Sequence, residues 1–297
     1  MDTSPKNKVF FCSTASRYYK EMLAGTAATY QSFILVEYNL PFPQKVTQTT
    51  IDAGWLSRLQ ALAKEKKGKV VLIRNKHSTA GTSRVMFVDC AARRYFSLVA
   101  DTKQLSLLDL EMHIYAAGTV WQTEPFFLVC TNGKKDKCCA KFGFPVFKFF
   151  EGMLGDTDVW ECTHIGGDRF AANAVYLPFG IYYGRVTVED IPEIIDHSLQ
   201  NSIYQPNYRG ISTLSFYKQS VECYIREYLN EWSIDFSMQM HIQSQQGNDI
   251  VAHVLTQKGN YEISVTKQLI LYPHYLTCTS KTRGNITKYM LNHIKVL

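Results

Sequence analysis

The first part of the chain alternates apolar runs with one amphipathic segment. Four runs have the length and continuity of buried or half-buried strands: 32–39, 69–75, 84–90 and 94–101. Between the first two, apolar residues recur at helical spacing behind Asp52, which can cap a helix that ends by Gly68. This order, βαβ followed by ββ, predicts a mixed α/β unit.

The same order recurs in the middle of the chain. The run PFFLVC predicts a buried strand that ends at Cys130, and Pro145 is placed to open an amphipathic helix. A further strand ends at His164, and residues 173–186 predict a hairpin before a helix at 188–199. The matching order suggests two similar units in tandem, although the first unit has no cysteines at the corresponding positions.

After a polar link, the pattern changes to one helix followed by strands. Apolar residues at helical spacing between Ser215 and Trp232 predict a helix whose apolar stripe packs in a core. Four further runs predict an antiparallel sheet against that helix: 236–244, 249–257, 261–268 and 275–281. We expect an α+β region here and assign it no function.

The composition is that of a soluble globular protein. Of 297 residues, 46% are hydrophobic and 20% are charged. No apolar run approaches the roughly 18 residues of a membrane-spanning helix, and the first residues lack the apolar core of a signal peptide. The sequence therefore predicts a cytoplasmic protein with no membrane partner.

The charge balance does not favour a nucleic-acid partner. Lys and Arg total 32 against 26 Asp and Glu, which leaves a formal charge of +6. No basic stripe interleaved with aromatic residues accompanies this small excess. Nucleic acid binding is therefore not expected.

Candidate metal-binding residues are concentrated between residues 130 and 168. Five residues of this stretch together offer three thiols, an imidazole and a carboxylate: Cys130, Cys138, Cys139, His164 and Asp168. A loop must bring the first and last of the thiols together across eight residues, and Gly166 and Gly167 suit a tight turn between the imidazole and the carboxylate. Because open α/β sheets place ligands at strand ends, Cys130 and His164 are expected to share one site.

The remaining cysteines are interpreted differently. In a reducing compartment the eight cysteines are expected to be mostly reduced, so the clustered ones are interpreted as ligands or redox groups rather than as disulfides. Four others stand alone in the sequence and are expected to be packing residues: Cys12, Cys90, Cys223 and Cys278.

The ligand types allow zinc or a 2Fe-2S cluster. Thiolates favour both, and imidazole and carboxylate are compatible with either. Structural zinc sites usually take two cysteines two to four residues apart, so the longer spacing here mildly favours the wider binuclear cluster. The alternative is that the thiols pack as small hydrophobes and that His164 and Asp168 form a hydrogen-bonded pair at a turn.

Two stretches resemble the sucrase/ferredoxin-like family, part of the thioredoxin-like ferredoxins. They are CTNGKKDKCCAKFGFP at 130–145 and WECTHIGGDRFAANAVYLPFGIYYGRV at 160–186. The resemblance extends to residues 23–43, 69–75 and 208–212, so it covers nearly the whole chain.

The resemblance implies a 2Fe-2S cluster and its ligands. In the family the first loop supplies two cysteines and an HxGGH loop supplies two histidines. These correspond here to Cys130, Cys139, His164 and position 168. Asp168 departs from the histidine pattern, so either its carboxylate binds iron or another thiol takes its place. Two thiols are alternates for that ligand: Cys138 and Cys162.

The resemblance also implies one-electron transfer. We expect an electron carrier, rather than a stand-alone enzyme, that works with a redox partner protein, either a reductase or an electron acceptor. Lys137 and Arg169 lie beside the proposed ligands in the sequence. Lys137 is expected either to stabilise the reduced site or to be a solvated loop charge. Arg169 is expected to pair with Asp168, with the reduced cluster or with another residue in a surface salt bridge.

A second class of function stays open from the sequence. The chain could be a zinc-stabilised or thiol-reactive protein in which Cys138 or Cys139 works with His164. Sugar hydrolysis is not expected, because glycosidases usually need two carboxylates in one cleft and no such pair stands out.

Domain boundaries follow from these assignments. We expect an N-terminal α/β region at 1–118, which is a degenerate thioredoxin-like unit, and a thioredoxin-like ferredoxin domain at 119–205. The C-terminal α+β region spans 206–297. Only the second unit is expected to keep cluster ligands.

Overall fold

A computed structural model describes residues 10–155 and 158–297 as a mixed α/β structure, as the sequence predicts. The helices are α1 Cys12–Tyr18, α2 Ala53–Glu65, α3 Leu110–Tyr115, α4 Lys137–Leu154, α5 Ile191–Leu199 and α6 Phe216–Leu229. The strands are β1 Ser32–Glu37, β2 Gly68–Arg74, β3 Thr82–Asp89, β4 Arg94–Asp101, β5 Phe126–Cys130, β6 Val159–Cys162, β7 Ala174–Leu177, β8 Ile181–Tyr183, β9 Tyr208–Ile211, β10 Met238–Gln246, β11 Asp249–Thr256, β12 Gly259–Leu271 and β13 Asn285–Val296. Among these described residues, no helix has the length and apolar character needed to cross a membrane.

Within the described residues, a nine-stranded sheet repeats one topology twice. Its strand order is β4-β3-β1-β2-β6-β5-β7-β8-β9. Read inward toward the junction between β2 and β6, both four-stranded halves follow the order fourth, third, first, second, and β9 extends the sheet beside β8. In each half the first two strands are parallel with a helix between them in the chain, and the last two form an antiparallel hairpin. The predicted repeat of element order is confirmed, because each half has a βαβ-ββ arrangement. The halves meet where β2 pairs with β6, with Ile73 opposite Cys162.

The two faces of this sheet bury different cores. The predicted apolar stripe of α2 packs against β1 and β2, and α4 and α5 pack against β5 and β7. The opposite face buries one cluster to which both halves contribute, for example through Leu35 and Leu128. Cys130 and Cys139 belong to this shared core, so the candidate ligands lie at the boundary of a packed interior rather than on a flexible surface.

Helix α4 begins at Lys137, so the prediction that Pro145 opens this helix is wrong. Asp136 caps the helix instead, because its Oδ1 accepts a hydrogen bond from the backbone N–H of Cys138 at 2.9 Å. Pro145 lies inside the helix, where a proline typically costs about 3 kcal/mol. Burial of apolar side chains on the following turns offsets that cost. As a result, Cys138 and Cys139 lie in the first turn of a helix rather than in a loop.

The C-terminal region forms a second sheet with the order β10-β11-β12-β13, packed against α6. Its first three strands lie where the sequence pattern predicts them. The predicted strand at 275–281 is wrong, because residues 272–284 form an irregular connection and the fourth strand is β13. Most residues of β13 are exposed, so its apolar and polar positions do not alternate cleanly and give a weak signal.

Candidate metal centre

Two parallel strands deliver the candidate ligands to one edge of the large sheet. β5 ends at Cys130 and β6 ends at Cys162, and these two residues lie opposite each other in the register. Because the carboxyl ends of parallel strands meet at the same edge, the segments that follow them lie close together. The first segment leads into α4 and Cys139, and the second carries His164 and Asp168.

All four side chains proposed as ligands converge at this edge. The sulfur atoms of Cys130 and Cys139 and a ring nitrogen of His164 lie within 4.8 Å of one another. Asp168 Oδ1 lies 2.8 Å from His164 Nδ1 and 3.4 Å from the Cys139 sulfur. Two thiols, an imidazole and a carboxylate are a donor set that suits either a 2Fe-2S cluster or zinc.

The two alternate thiols are not part of this group of donor atoms. Successive helical residues are rotated by about 100°, so Cys138 and Cys139 face different surroundings although they are neighbours in α4. The Cys138 sulfur lies 3.2 Å from that of Cys278 and 3.6 Å from that of Cys12. Cys162 is fully buried in the core shared by the two halves. Neither alternate belongs to the group of three donor atoms described above.

A buried arginine holds the glycine loop between the imidazole and the carboxylate. Gly167 has a φ of +85°, and a β-carbon there would lie 2.4 Å from Arg209 Nη2, so this position requires glycine. Arg209 is 1% exposed and donates hydrogen bonds to the carbonyl of Gly166 at 3.2 Å and to Asn173 Oδ1 at 2.8 Å. Asn173 donates in turn to the carbonyl of Gly167 at 2.8 Å. These contacts fix the loop from inside the fold.

Replacement of Arg209 by lysine is expected to destabilise the protein by about 2 kcal/mol, because one ammonium group cannot replace the forked contacts to Gly166 and Asn173. Urea unfolding measures the change. Arg58→Lys, on the exposed face of α2, is the matched control and should stay within about 0.5 kcal/mol of the wild type. Equal stability of the two variants would show that the loop does not depend on the guanidinium group.

Hydrogen bonds within the site control its protonation. The pKa of Cys130 falls to about 5, chiefly because its sulfur accepts a hydrogen bond from Cys139, while burial opposes the shift. Burial lowers the pKa of His164, but its hydrogen bonds with Asp168 and Cys130 outweigh that effect and raise the pKa to about 9. The pKa of Cys139 lies well above its usual value because its proton bonds the Cys130 sulfur. A cation bound here would therefore displace protons from Cys139 and His164.

The basic residues beside the site have partners that the sequence does not reveal. Arg169 Nε lies 2.7 Å from Glu21 Oε1, so Arg169 forms a salt bridge with Glu21 rather than with Asp168. The Asp168 carboxylate faces the imidazole instead. Lys137 Nζ lies 5.0 Å above the ring of Phe11, so its ammonium group contacts the N-terminal segment.

Sequence reasoning missed a second group of donors. Four residues offer ligand atoms within 4.8 Å of one another: Cys12, Asp136, Cys138 and Cys278. Cys12 and Cys278 pack in or against a hydrophobic cluster as predicted, but the prediction that they stand alone is wrong. Cys90 and Cys223 lie in hydrophobic cores as predicted. Because 266 positions separate Cys12 from Cys278, no local spacing signals the group. The adjacent pair of thiols in α4 is the only sequence feature that hints at it.

Comparison with known proteins gives matches to one family and to several of its relatives. The sequence pattern of the Sucrase/ferredoxin-like family matches residues 23–210. The chain is 33% identical to "Altered inheritance of mitochondria protein 32" of Meyerozyma guilliermondii over 98 residues, which are 30% of this chain and 35% of that protein. The protein of the same name from Eremothecium gossypii is 29% identical over 113 residues, which are 32% and 36% of the two chains. The chain therefore spans about a third of the length of these relatives.

Two solved structures of a thioredoxin-like 2Fe-2S ferredoxin from Aquifex aeolicus are similar to part of the chain. A cysteine-to-serine variant is 20% identical with a TM-score of 0.25, and the match covers 29% of this chain and 96% of that one. The second structure is also 20% identical, with a TM-score of 0.24, and the match covers 28% and 87% of the two chains.

Proposed function

Because the chain belongs to the sucrase/ferredoxin-like family, we propose that it binds a 2Fe-2S cluster and transfers single electrons. The proposed ligands are Cys130, Cys139, His164 and Asp168. The observation that carries the proposal is the convergence of these four side chains at one edge of the sheet. When bound, such a cluster exchanges one electron at a time. The protein then serves a reductase or an electron acceptor and has no substrate of its own.

The donor set determines the charge of the proposed site. Two ferric ions and two sulfides carry roughly +2, and two thiolates with one carboxylate bring the total to roughly −1. Four thiolates would give roughly −2, and two thiolates with two histidines would give roughly 0. A more anionic site resists an added electron. With the carboxylate of Asp168 as a ligand, the expected reduction potential therefore lies between those of a site with four thiolates and a site with two thiolates and two histidines.

His164 is the ligand that faces outward. Its side chain is 22% exposed, whereas the side chain of Asp168 is 6% exposed and the two cysteines are each 1% exposed. A redox partner protein would therefore approach from the His164 side. The exposed Lys134, in the loop after β5, adds positive charge to this edge and suits a partner with an acidic surface.

Zinc at the same donors is the alternative. Three donor atoms within 4.8 Å of one another are close enough to bind one ion, which is the observation that favours it. A thiol-reactive enzyme has less support, because Cys130, the thiol with the lowered pKa in this site, is 1% exposed and therefore shielded from substrates.

Iron and acid-labile sulfide analysis of protein purified without oxygen tests the proposal. We expect about two irons and two sulfides per chain and a coloured protein, with all three lost in Cys130→Ser and in Cys139→Ser. Cys223→Ser is the matched control and should keep them, since Cys223 is buried in α6 within another core. Zinc that disappears in Cys139→Ser, from protein that contains no sulfide, would assign the site to zinc instead.

We further propose that the protein works in the cytoplasm. Its eight cysteines all lie within the described residues and are free thiols, as a reducing compartment favours. Mitochondria are the other location to test, since two relatives are named for mitochondrial inheritance. Detection of the chain in the cytoplasmic or the mitochondrial fraction of lysed cells separates the two.

A further inference from the structure

Three thiols and a carboxylate from distant parts of the chain meet beside the first ligand group. Cys12 comes from the first turn of α1, Asp136 from the cap of α4, Cys138 from the first turn of α4 and Cys278 from the connection between β12 and β13. We propose that these side chains form a second metal site that binds one zinc ion. The proposal does not depend on what the first ligand group holds, but the metal contents expected below are those for a 2Fe-2S cluster in that group.

The three sulfur atoms have the spacing of ligands to a single ion. The distances between them are 3.6 Å from Cys12 to Cys138, 3.2 Å from Cys138 to Cys278 and 3.6 Å from Cys278 to Cys12. Thiolates bound about 2.3 Å from a tetrahedral zinc lie about 3.8 Å apart, which is close to this triangle. A disulfide needs about 2.05 Å and joins only two of the three sulfurs. An iron-sulfur cluster would spread its thiolates over several irons, so a mononuclear ion fits best.

Asp136 completes the group and is itself held in place. Its two carboxylate oxygens lie 3.9 and 3.8 Å from the Cys12 sulfur. Oδ1 accepts a hydrogen bond from the N–H of Cys138 at 2.9 Å, and Oδ2 accepts one from the N–H of Cys278 at 2.7 Å. Each oxygen keeps a further lone pair, so the carboxylate can bind an ion while it holds both backbone segments. The same bonds position two of the thiols for ligation.

A cation bound among these donors would be enclosed by the protein. The two thiols on helices are 0% exposed and Asp136 is 1% exposed. Buried thiols keep their protons unless a cation is bound, because an unpaired buried charge is costly, so thiolates form in this group only with a counter-ion. The ammonium groups of Lys137 and Lys141 do not supply it, since they lie 5.0 and 3.8 Å above the ring of Phe11.

The soft thiolate ligands and the absence of an open coordination position indicate a structural zinc ion. Thiolates select zinc over magnesium or calcium, and three thiolates with one carboxylate leave no position open for a substrate. The ion would fasten α1 and the 272–284 connection to the start of α4. Because Cys138 and Cys139 are neighbours, it would also fix the helical turn that carries a ligand of the first group.

Metal analysis of single variants tests the second site. We expect about one zinc per chain in the wild type, and a fall to about 0.1 or less in Cys12→Ser and Cys278→Ser, with iron and sulfide unchanged. Cys139→Ser should show the reverse, with zinc retained and iron lost. Cys90→Ser, which removes a buried thiol of the shared core, is the matched control and should keep both metals. Zinc that remains at one per chain in both Cys12→Ser and Cys278→Ser would overturn the proposal.

Cobalt binding to the wild-type protein tests the second site without relying on the folding of the Cys12→Ser and Cys278→Ser variants. Wild-type protein stripped with a chelator and titrated with cobalt(II) alone is expected to show thiolate-to-cobalt absorption. The same absorption in Cys139→Ser would assign it to the second group. Mass spectrometry after alkylation shows whether two of the three thiols form a disulfide. Such a disulfide, in protein without zinc, would overturn the proposal.

Discussion

Replacement of Gly143 by alanine is expected to destabilise the protein by about 3 kcal/mol or more and to prevent metal binding at the first ligand group. Gly143 is buried in α4, where the helix crosses the end of β5. A β-carbon there would lie 2.0 Å from the carbonyl oxygen of Cys130 and 3.1 Å from its carbonyl carbon. Backbone atoms cannot yield as a flexible side chain does, so the helix must move away from the strand. That movement would separate Cys139 from Cys130.

A second glycine of the same helix provides the control for this prediction. A β-carbon on Gly152 would meet no atom within 4 Å, and the residue is exposed. Alanine at Gly152 should therefore stabilise the helix by up to about 1 kcal/mol, since glycine is the poorer helix former. Urea unfolding and iron content measure both variants. A Gly143→Ala protein with wild-type stability and iron content would show that the helix does not need this close contact.

The sequence predicts the parts of the site that depend on local pattern. Cys130 ends the apolar run of β5, and His164 lies two residues after the end of β6. Because the carboxyl ends of parallel strands lie at the same edge of a sheet, the two residues can be expected to converge. The sequence does not predict that the two neighbouring thiols lie in a helix, because Pro145 has the pattern of a helix start although the helix is capped earlier in the chain, at Asp136. The sequence carries both a cap at Asp136 and a proline at 145, and burial of the apolar side chains after Pro145 favours the longer helix that begins at the cap.

Contacts between distant segments could not be predicted in the same way. Arg169 stands beside Asp168 in the chain, but its partner is Glu21, 148 positions away. Cys12 and Cys278 lie near opposite ends of the chain, and each alone has the pattern of an ordinary packing residue. Such pairs depend on how helices, sheets and connections pack together, and a single sequence carries no periodic signal for that packing.

The carboxylate of Asp168 is expected to bind iron, so its removal should remove the cluster. Asp168→Ala should lose colour, iron and sulfide, whereas Asp168→His should keep them and raise the reduction potential. Clusters with two histidines in place of two cysteines have reduction potentials at least about 250 mV above those with four cysteines. A single exchange of carboxylate for imidazole should therefore raise the potential by a part of this difference, on the order of 100 mV. Asp196→Ala, on the exposed face of α5, is the control and should match the wild type.

The competing role for Asp168 is to orient His164. Its Oδ1 lies 2.8 Å from His164 Nδ1, a contact that can hold the ring while the other ring nitrogen binds metal. Asparagine keeps an oxygen acceptor but has no charge, so Asp168→Asn separates the two roles. If Asp168 binds iron, Asp168→Asn should lose the cluster or shift its visible spectrum strongly. A spectrum close to that of the wild type in Asp168→Asn, with iron and sulfide at wild-type levels in Asp168→Ala, would assign Asp168 to orientation alone.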